Sequence, residues 1–320
     1  MRIYPKSLKQ EAAERLGRLN CNPRKVLLVY AAVAFGVSLV AALMNVFLNS
    51  RVAQTGGLDG LEVKALWETT ASVSELAIAF LSPIWSLGLV AVVLGFARGK
   101  DAQPKDLTAG FNRFFAGLGL HLLTILLYLF ASLIAIYIGT ALMGFLADMD
   151  KLDAIMQPVV QALEADPNMA YDALAQILPW QELLACLWLP MLVIFLLSAV
   201  VVLFLSYRLR LASYYLMDNP GTGPIQAVRK SFSSMKGNVF AFIWLDLSYW
   251  WYYLLMALFG STGLVTLIPF LLGMPQVSDL GAVGIQFLSS GALCALYWWK
   301  GAQVETTFAL AYENLKIKTL

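Results

Sequence analysis

The stretch from Tyr207 to Tyr253 reads YRLRLASYYLMDNPGTGPIQAVRKSFSSMKGNVFAFIWLDLSYWWYY, and it indicates how the whole chain is built. A long apolar helix should stop at Asp218–Gly221, because proline is poorly tolerated inside a helix and disfavours the α conformation in the preceding residue. A second, amphipathic helix is predicted over Ile225–Lys236, with a left-handed stop at Gly237. The chain then returns at once to apolar sequence. This alternation is typical of a polytopic membrane protein.

Composition supports the same class. Hydrophobic residues make up 60% of the 320 residues, charged residues make up 13%, and the mean hydropathy is +0.72. A soluble domain carries roughly 25% charged residues, so the deficit places the chain in lipid. The three cysteines have no metal-like or disulfide-framework spacing, and one histidine excludes any site that needs two. We therefore expect neither a metal nor a disulfide framework.

Six apolar segments each approach the roughly 20 residues needed to cross the hydrocarbon core. They lie at about 26–48, 76–97, 119–146, 183–206, 239–260 and 283–304. The predicted fold is therefore an all-α, polytopic membrane bundle of six transmembrane helices. The apolar run Leu264–Leu272 is too short to span, so it either re-enters the membrane or extends the fifth span.

The distribution of cations predicts the orientation. Of the 22 lysines and arginines, Arg51, Lys64 and Lys151 are the ones that fall in segments assigned to the outside. The positive-inside rule therefore predicts that both termini lie in the cytoplasm. The basic inner segments are explained by this topology and by anionic membrane lipids, so we expect no nucleic acid.

The chain is predicted to form one membrane domain, 1–320, with three helical additions. Residues 1–25 predict a cytoplasmic amphipathic helix, 148–182 an extracytoplasmic helical loop, and 207–238 a cytoplasmic helical connection. A weak internal repeat matches four residues of the second connection with four of an earlier one at a constant offset: Leu107, Ala109, Phe114 and Gly119 with Ile225, Ala227, Phe232 and Gly237. Three units, each a surface helix followed by a hairpin, would give a three-fold arrangement.

Asp246 is the most informative side chain, because an intramembrane carboxylate is costly unless it is paired or neutralised. It lies about eight residues into the fifth span, and Lys300 near the end of the sixth span is a possible partner. The functional interpretation is a proton- or cation-coupled site that also includes Ser248. The structural alternative is an Asp–Lys or Asp–Ser contact that locks two helices together.

Aromatic residues surround Asp246 in the sequence. The cluster consists of Trp244, Tyr249, Trp250 and Trp251. It could form a wall for a cation or a lipid headgroup, or it could be bulky packing with a displaced interfacial belt. In the third span, Ala131, Ala135 and Gly139 recur at every fourth position, which permits close helix packing.

No catalytic pattern is present: the sequence lacks a P-loop, HExxH, GxSxG and a motif-spaced Cys–His pair. We therefore expect no enzyme and no cofactor. Two classes of function remain. The favoured one is a non-enzymatic partner-binding, assembly or regulatory factor that acts through its cytoplasmic helices on a membrane or cytoplasmic protein. The other is a transporter or lipid-handling protein built around Asp246.

The second connection resembles a bacterial integral-membrane family labelled "domain of unknown function 975". The resemblance rests on a central block and on weaker positions towards both ends, which are Tyr215, Leu216, Met217, Asp218, Asn219, Pro220, Ala227, Ser231, Met235, Lys236, Gly237, Asn238, Leu245, Asp246, Leu247 and Ser248, then Leu8, Lys9, Ala13, Leu16, Gly110, Phe111, Ala311, Tyr312 and Glu313. It implies a membrane protein without an established activity. A fainter likeness is to the membrane domain of glycerophosphodiester phosphodiesterases, whose catalytic barrel has no counterpart here. The family's proline–tyrosine pair is Pro269–Phe270 in this chain.

Overall fold

The computed structural model describes residues 4–54, 58–146, 148–166, 177–260 and 279–319, and within these ranges all regular structure is helical. The all-α prediction is therefore confirmed. In chain order the α-helices are α1 (Pro5–Gly17), α2 (Pro23–Gln54), α3 (Leu58–Ala97), α4 (Phe114–Leu146), α5 (Met149–Ala165), α6 (Trp180–Leu209), α7 (Ala212–Asp218), α8 (Pro224–Met235), α9 (Val239–Leu247), α10 (Trp250–Gly260), α11 (Asp279–Leu296) and α12 (Ala302–Thr319). A 3₁₀ helix covers Pro104–Arg113 and a π-helical turn covers Tyr297–Gly301.

Several helices are long and apolar enough to cross a membrane. Among the described residues there are four such stretches, Pro23–Ala41, Leu76–Ala97, Pro104–Leu142 and Trp180–Asp218, or five if the bent pair α9 and α10 is one span. A membrane-embedded protein is thus supported. The sixth predicted segment, 283–304, coincides with α11, the π-helical turn and the start of α12, and it is not among these stretches. The run 264–272 lies outside the described residues.

The fifth predicted span, 239–260, is not one straight helix. Its halves, α9 and α10, meet at an angle of 72°. The Ser248 hydroxyl donates back to the Leu245 carbonyl at 2.6 Å, a bond that competes with the helical pattern and bends helices. The Tyr249 amide bonds the Asp246 carbonyl, three residues back, so the ladder tightens and breaks at this point.

Contacts divide the chain into two compact units. Residues 123–207 form one, in which α4 and α6 approach closely where a Cβ on Gly139 would lie 2.5 Å from the Ile194 side chain. The small-residue ladder of the third span therefore serves helix packing, as its spacing predicts. The loop 148–182 is helical over α5, and its residues 167–176 lie outside the described residues.

Residues 1–122 and 208–320 form the other unit. In it, the 3₁₀ helix lies directly on α3, because each of these two helices has a glycine where they cross. A Cβ on Gly110 would collide with the Ile84 carbonyl, and a Cβ on Gly88 would collide with the Leu107 carbonyl. The weakly family-like position Gly110 thus has a steric reason.

The predicted amphipathic helix 225–236 is confirmed as α8, and Gly237 beyond it has φ of +79°, the left-handed stop that the sequence predicts. The segment matched to it in the proposed repeat differs, since 104–113 is a 3₁₀ helix that runs straight into α4. Gly119 lies inside α4, so it does not end a helix as Gly237 does. The three-fold repeat stays a prediction.

Candidate functional site

The family-like residue Asp218 ends α7 at the centre of a dense set of charges. Its carboxylate accepts hydrogen bonds from Arg98 and Lys316, each at 2.5 Å, and from the Tyr312 hydroxyl at 2.8 Å. Arg98 also donates to Glu313 at 2.8 Å. We call these five residues the polar clamp. It ties the end of α3 to α7 and α12, and the Asp218 side chain is 3% exposed.

The backbone around Asp218 is fixed by one arginine. Arg113, at the end of the 3₁₀ helix, donates to the carbonyls of Leu216, Asn219 and Thr222. These carbonyls lie in the turn that Pro220 creates, where helical partners end. The Asp218–Asn219–Pro220 motif is therefore a junction held by side chains from three other elements.

The remaining motif residues of the second connection split between two faces of α8. The Ser231 hydroxyl donates to the Arg208 carbonyl at 2.6 Å and accepts from the Leu211 amide at 3.2 Å, while Met235 is fully buried. Lys236 and Gly237 are exposed. The inner face of α8 thus anchors the helix in the fold, and the outer face takes no part in these anchoring contacts.

Asp246 is bound by an arginine on the preceding connection. Both carboxylate oxygens accept from Arg210, one of them at 2.8 Å, and the guanidinium lies 4.1 Å from the Phe308 ring centroid. A bidentate pair of this kind satisfies both charges in a poorly solvated place. The partner suggested from the sequence, Lys300, instead donates to Gln303 at 3.0 Å. Depth along the spans suggested Lys300, but depth alone does not determine which side chains face each other.

A second acid lies near this pair. Glu305, in the first turn of α12, is partly buried, and its carboxylate makes no hydrogen bond to a described residue. Burial, opposed by Arg210 and aided by Asp246, raises the pKa of Glu305 to about 7. This group therefore changes charge close to neutral pH.

The helix break after Asp246 is stabilised by side chains from other helices. The Lys9 ammonium of α1 donates to the Ser248 carbonyl at 2.5 Å and lies 3.8 Å from the Tyr249 ring centroid. The Tyr249 hydroxyl shares a 2.9 Å hydrogen bond with Thr307. Ser248 and Tyr249 are thus parts of a bend stabilised by α1 and α12.

The aromatic cluster predicted around Asp246 does not assemble into one wall. Trp244 and Trp250 are 62% and 60% exposed, whereas Tyr249 is buried. Trp251 packs against Trp299 with ring centroids 5.4 Å apart. The two exposed tryptophans occupy the outer surface of α9 and α10, where an interfacial belt would be.

Two cavities lie in the same unit. An apolar one of about 470 Å³ between α2 and α3 is lined by Tyr30, Trp85, Phe111 and Tyr297, among others. A second, of about 320 Å³, lies between α1, the start of α2 and the π-helical turn. Neither of these two is lined by Asp246. Within the described ranges, no three acidic, cysteine or histidine side chains are grouped so as to hold a metal ion.

Sequence reasoning missed Arg210, Glu305 and Lys9 as members of these networks. Arg210 follows an apolar segment, as many membrane-flanking cations do, and 36 residues separate it from Asp246. Glu305 carries one usable signal, an acid immediately after an apolar segment. No spacing in the sequence links Lys9 to a carbonyl 239 residues away.

Comparison with protein families gives one match. The profile of the family described as "Protein of unknown function (DUF975)" matches residues 3–274. The match includes the motif residues of the second connection, Asp246 and Ser248. No curated protein and no solved structure matches the chain.

Proposed function

The chain belongs to the family "Protein of unknown function (DUF975)", and since that description names no activity, we propose a function from the geometry. We propose that it is a non-enzymatic membrane factor that binds a protein partner through the outer face of α8. The single observation that carries this proposal is that the two faces of that helix have different surroundings. Its inner face is bonded into the fold, and its outer face carries exposed Arg229, Lys230 and, just beyond the helix, Lys236.

The inner face of α8 and the preceding helix α7 are held by several side-chain hydrogen bonds. Ser231 bonds the chain before α7, Ser234 bonds Tyr215 at 2.5 Å, and the polar clamp fixes the far end of α7. A rigid scaffold lowers the entropic cost of binding, because few side chains remain to be ordered. The basic face suits an acidic partner by charge complementarity.

The proposal includes a topology. We infer six spans in a bacterial cytoplasmic membrane, with both termini, α1, α8 and the 3₁₀ helix on the cytoplasmic side, and with pseudo-three-fold hairpins. The distribution of cations supports this, since α8 and its flanks are basic while α5 carries Asp150 and Asp153. Thiol labelling of intact cells should modify a cysteine introduced at Asp153 and spare one at Ser233. The reverse pattern would invert the topology.

The test of partner binding is site-specific photo-crosslinking in native membranes. A photo-reactive residue replacing Lys230 should give a discrete protein adduct, whereas the same residue replacing Lys151, an exposed cation on α5, should not. Arg229→Glu in the Lys230 probe should abolish the adduct by charge reversal. Adducts with lipid alone at Lys230, or the same protein adduct at both positions, would refute the proposal.

A transporter or lipid-handling protein is the alternative, and one observation favours it. The 72° break between α9 and α10 follows directly after Asp246, and broken helices beside charged residues are typical of transport sites. The bidentate bond to Arg210 weighs against it, because a carboxylate so engaged is not free to bind cargo.

Water access distinguishes the two functions. In a background with Cys21, Cys186 and Cys294 replaced by serine, Ser248→Cys should resist a charged thiol reagent if the bend is structural. The exposed position Ser233→Cys is the matched positive control. Rapid labelling of the cysteine at 248 would favour the transporter.

A further inference from the structure

The cavity between α1, the start of α2 and the π-helical turn has the character of an anion site. The described residues that line it include two cations, Arg24 and Lys300, and no carboxylate. The lining also offers neutral donors in Asn22 and Gln303. Its volume of about 320 Å³ is at the small end of ligand pockets, which suits a headgroup better than a whole lipid.

Among the described residues, no carboxylate forms an ion pair with Arg24 or Lys300, although Asp101 lies close by, where it accepts from the Asn20 and Cys21 amides. Lys300 donates to the neutral Gln303, and the amide of Gln303 donates onward to the Lys9 carbonyl at 3.3 Å. Burial and the neighbouring Lys300 ammonium lower the pKa of Lys9. Two cations that repel each other across a glutamine are a favourable place for an anion. The positive end of α2, which begins at Pro23, adds to the same field.

The surroundings of the cavity match those expected where a helix enters a membrane. One candidate span, Pro23–Ala41, begins in its wall. Trp298 and Trp299 beside it are 45% and 52% exposed, and the Arg24 guanidinium lies 5.5 Å from the Trp298 ring centroid. Exposed tryptophans combined with cations at a helix end are typical of the headgroup level of a membrane.

We propose that this cavity binds the phosphate of an anionic phospholipid headgroup, held by Arg24 and Lys300. Arginine donates two parallel hydrogen bonds to a phosphate, and lysine contributes a point charge. The lipid tails stay in the bilayer, beside the apolar start of α2. This inference does not depend on the partner proposed for α8, since none of the residues that carry it belongs to that helix.

Native mass spectrometry of the purified full chain, with equal phosphatidylglycerol and phosphatidylcholine added, tests the site. Wild type should retain phosphatidylglycerol preferentially. Arg24→Gln and Lys300→Gln should each lower that retention about tenfold, as expected for one charge-assisted hydrogen bond. Lys25→Gln removes an exposed neighbouring cation outside the lining and should retain the lipid, and Lys300→Arg should do so as well.

The alternative outcomes are separable. Equal loss in Lys25→Gln and Arg24→Gln, or equal retention of both lipids by wild type, would overturn the proposal. Inorganic phosphate is the second probe, added to delipidated protein in a thermal unfolding experiment. If it stabilises wild type but not Arg24→Gln while phosphatidylglycerol does not bind, the site takes a soluble phosphate and the lipid assignment is wrong. Elution of every variant as wild type on size exclusion excludes misfolding as the cause.

Discussion

The helices of residues 123–207 and the helix α12 show opposite relations between apolarity and burial by protein. The apolar windows within Pro104–Leu142 and Trp180–Asp218 are 11% and 6% buried by protein, although their mean hydropathies are 2.4 and 2.8. In α12, Ala302, Val304 and nearly every residue from Thr306 to Tyr312 is buried, although acids, amides and hydroxyls occur throughout it.

This difference shows that apolarity and burial are separate properties in such a chain. The most apolar helices leave their side chains to lipid, which solvates them as well as a protein core does. Side chains from distant parts of the chain instead contact one another around α12 and the polar clamp. Hydrogen-bonded charges such as the polar clamp therefore join helices around a core that remains mostly aliphatic and aromatic.

The largest effect should come from Asp218→Asn. It leaves Arg98 and Lys316 facing an uncharged amide at a site where the carboxylate is 3% exposed. Breaking a buried pair by removing one partner costs about 4 kcal/mol. Thermal unfolding in detergent should show a large fall in the midpoint. Asp150→Asn, an exposed acid on α5, is the matched control and should behave as wild type.

Asp246→Asn should follow, at about 3 kcal/mol, because it replaces the carboxylate that accepts two hydrogen bonds from the Arg210 guanidinium with a neutral amide. The double variant Arg210→Met with Asp246→Leu should cost clearly less than the two single changes added together. A double-mutant cycle from unfolding midpoints measures this coupling. Strict additivity would mean that the pair contributes nothing as a pair.

Gly110→Ala should cost about 2 kcal/mol through overpacking. The new methyl group meets the backbone of Ile84 and Gly88, which cannot move aside without separating the 3₁₀ helix from α3. Gly17→Ala, where nothing lies within 4 Å, is the control and should be neutral or better. A tolerated Gly110→Ala would show that this contact is looser than the clamp.

Glu305 should make stability depend on pH. Its folded pKa of about 7 lies above the ordinary 4.5, so the native state keeps a proton that the unfolded state has lost across this interval. The contribution of Glu305 to stability is therefore largest below about pH 4.5, falls as the pH rises through the interval, and is level above about pH 7. Glu305→Gln should flatten this slope by about 2 °C in the unfolding midpoint between about pH 5 and about pH 8. An unchanged slope would assign it to another group.

The smallest effect belongs to the lipid-facing helices. Phe195 on α6 is 68% exposed, so Phe195→Leu should change stability by less than about 0.5 kcal/mol. The same unfolding assay measures it. A loss comparable to that of Asp218→Asn would contradict the contrast between the two regions, since it would mean that this surface is covered by protein.

Local rules predicted the local structure. Proline and glycine placed the ends of α8 and the turn at Pro220, because these residues act through their own backbone. Segment length and apolarity predicted most of the long helices, because these are also properties of the local sequence. The bend at Ser248 was missed because it requires both a serine that bonds back into its helix and Lys9 to occupy the released carbonyl.

Side-chain pairing could not be read in the same way. Asp218 looked like one element of a motif, and its partners Arg98 and Lys316 lie 120 and 98 residues away. The sequence singles out Asp246 as costly in lipid, but it does not specify which cation faces that carboxylate. Such pairings depend on how helices rotate and pack, which a single sequence does not encode locally.

The bond from Lys9 to the Ser248 carbonyl has a consequence for biogenesis. The two residues are 239 positions apart, so the ribosome has synthesised most of the chain before they can meet. The α1 helix can therefore dock against the bend only after the segment that contains Ser248 has been synthesised. The contact thus joins two segments that are made at different times during translation.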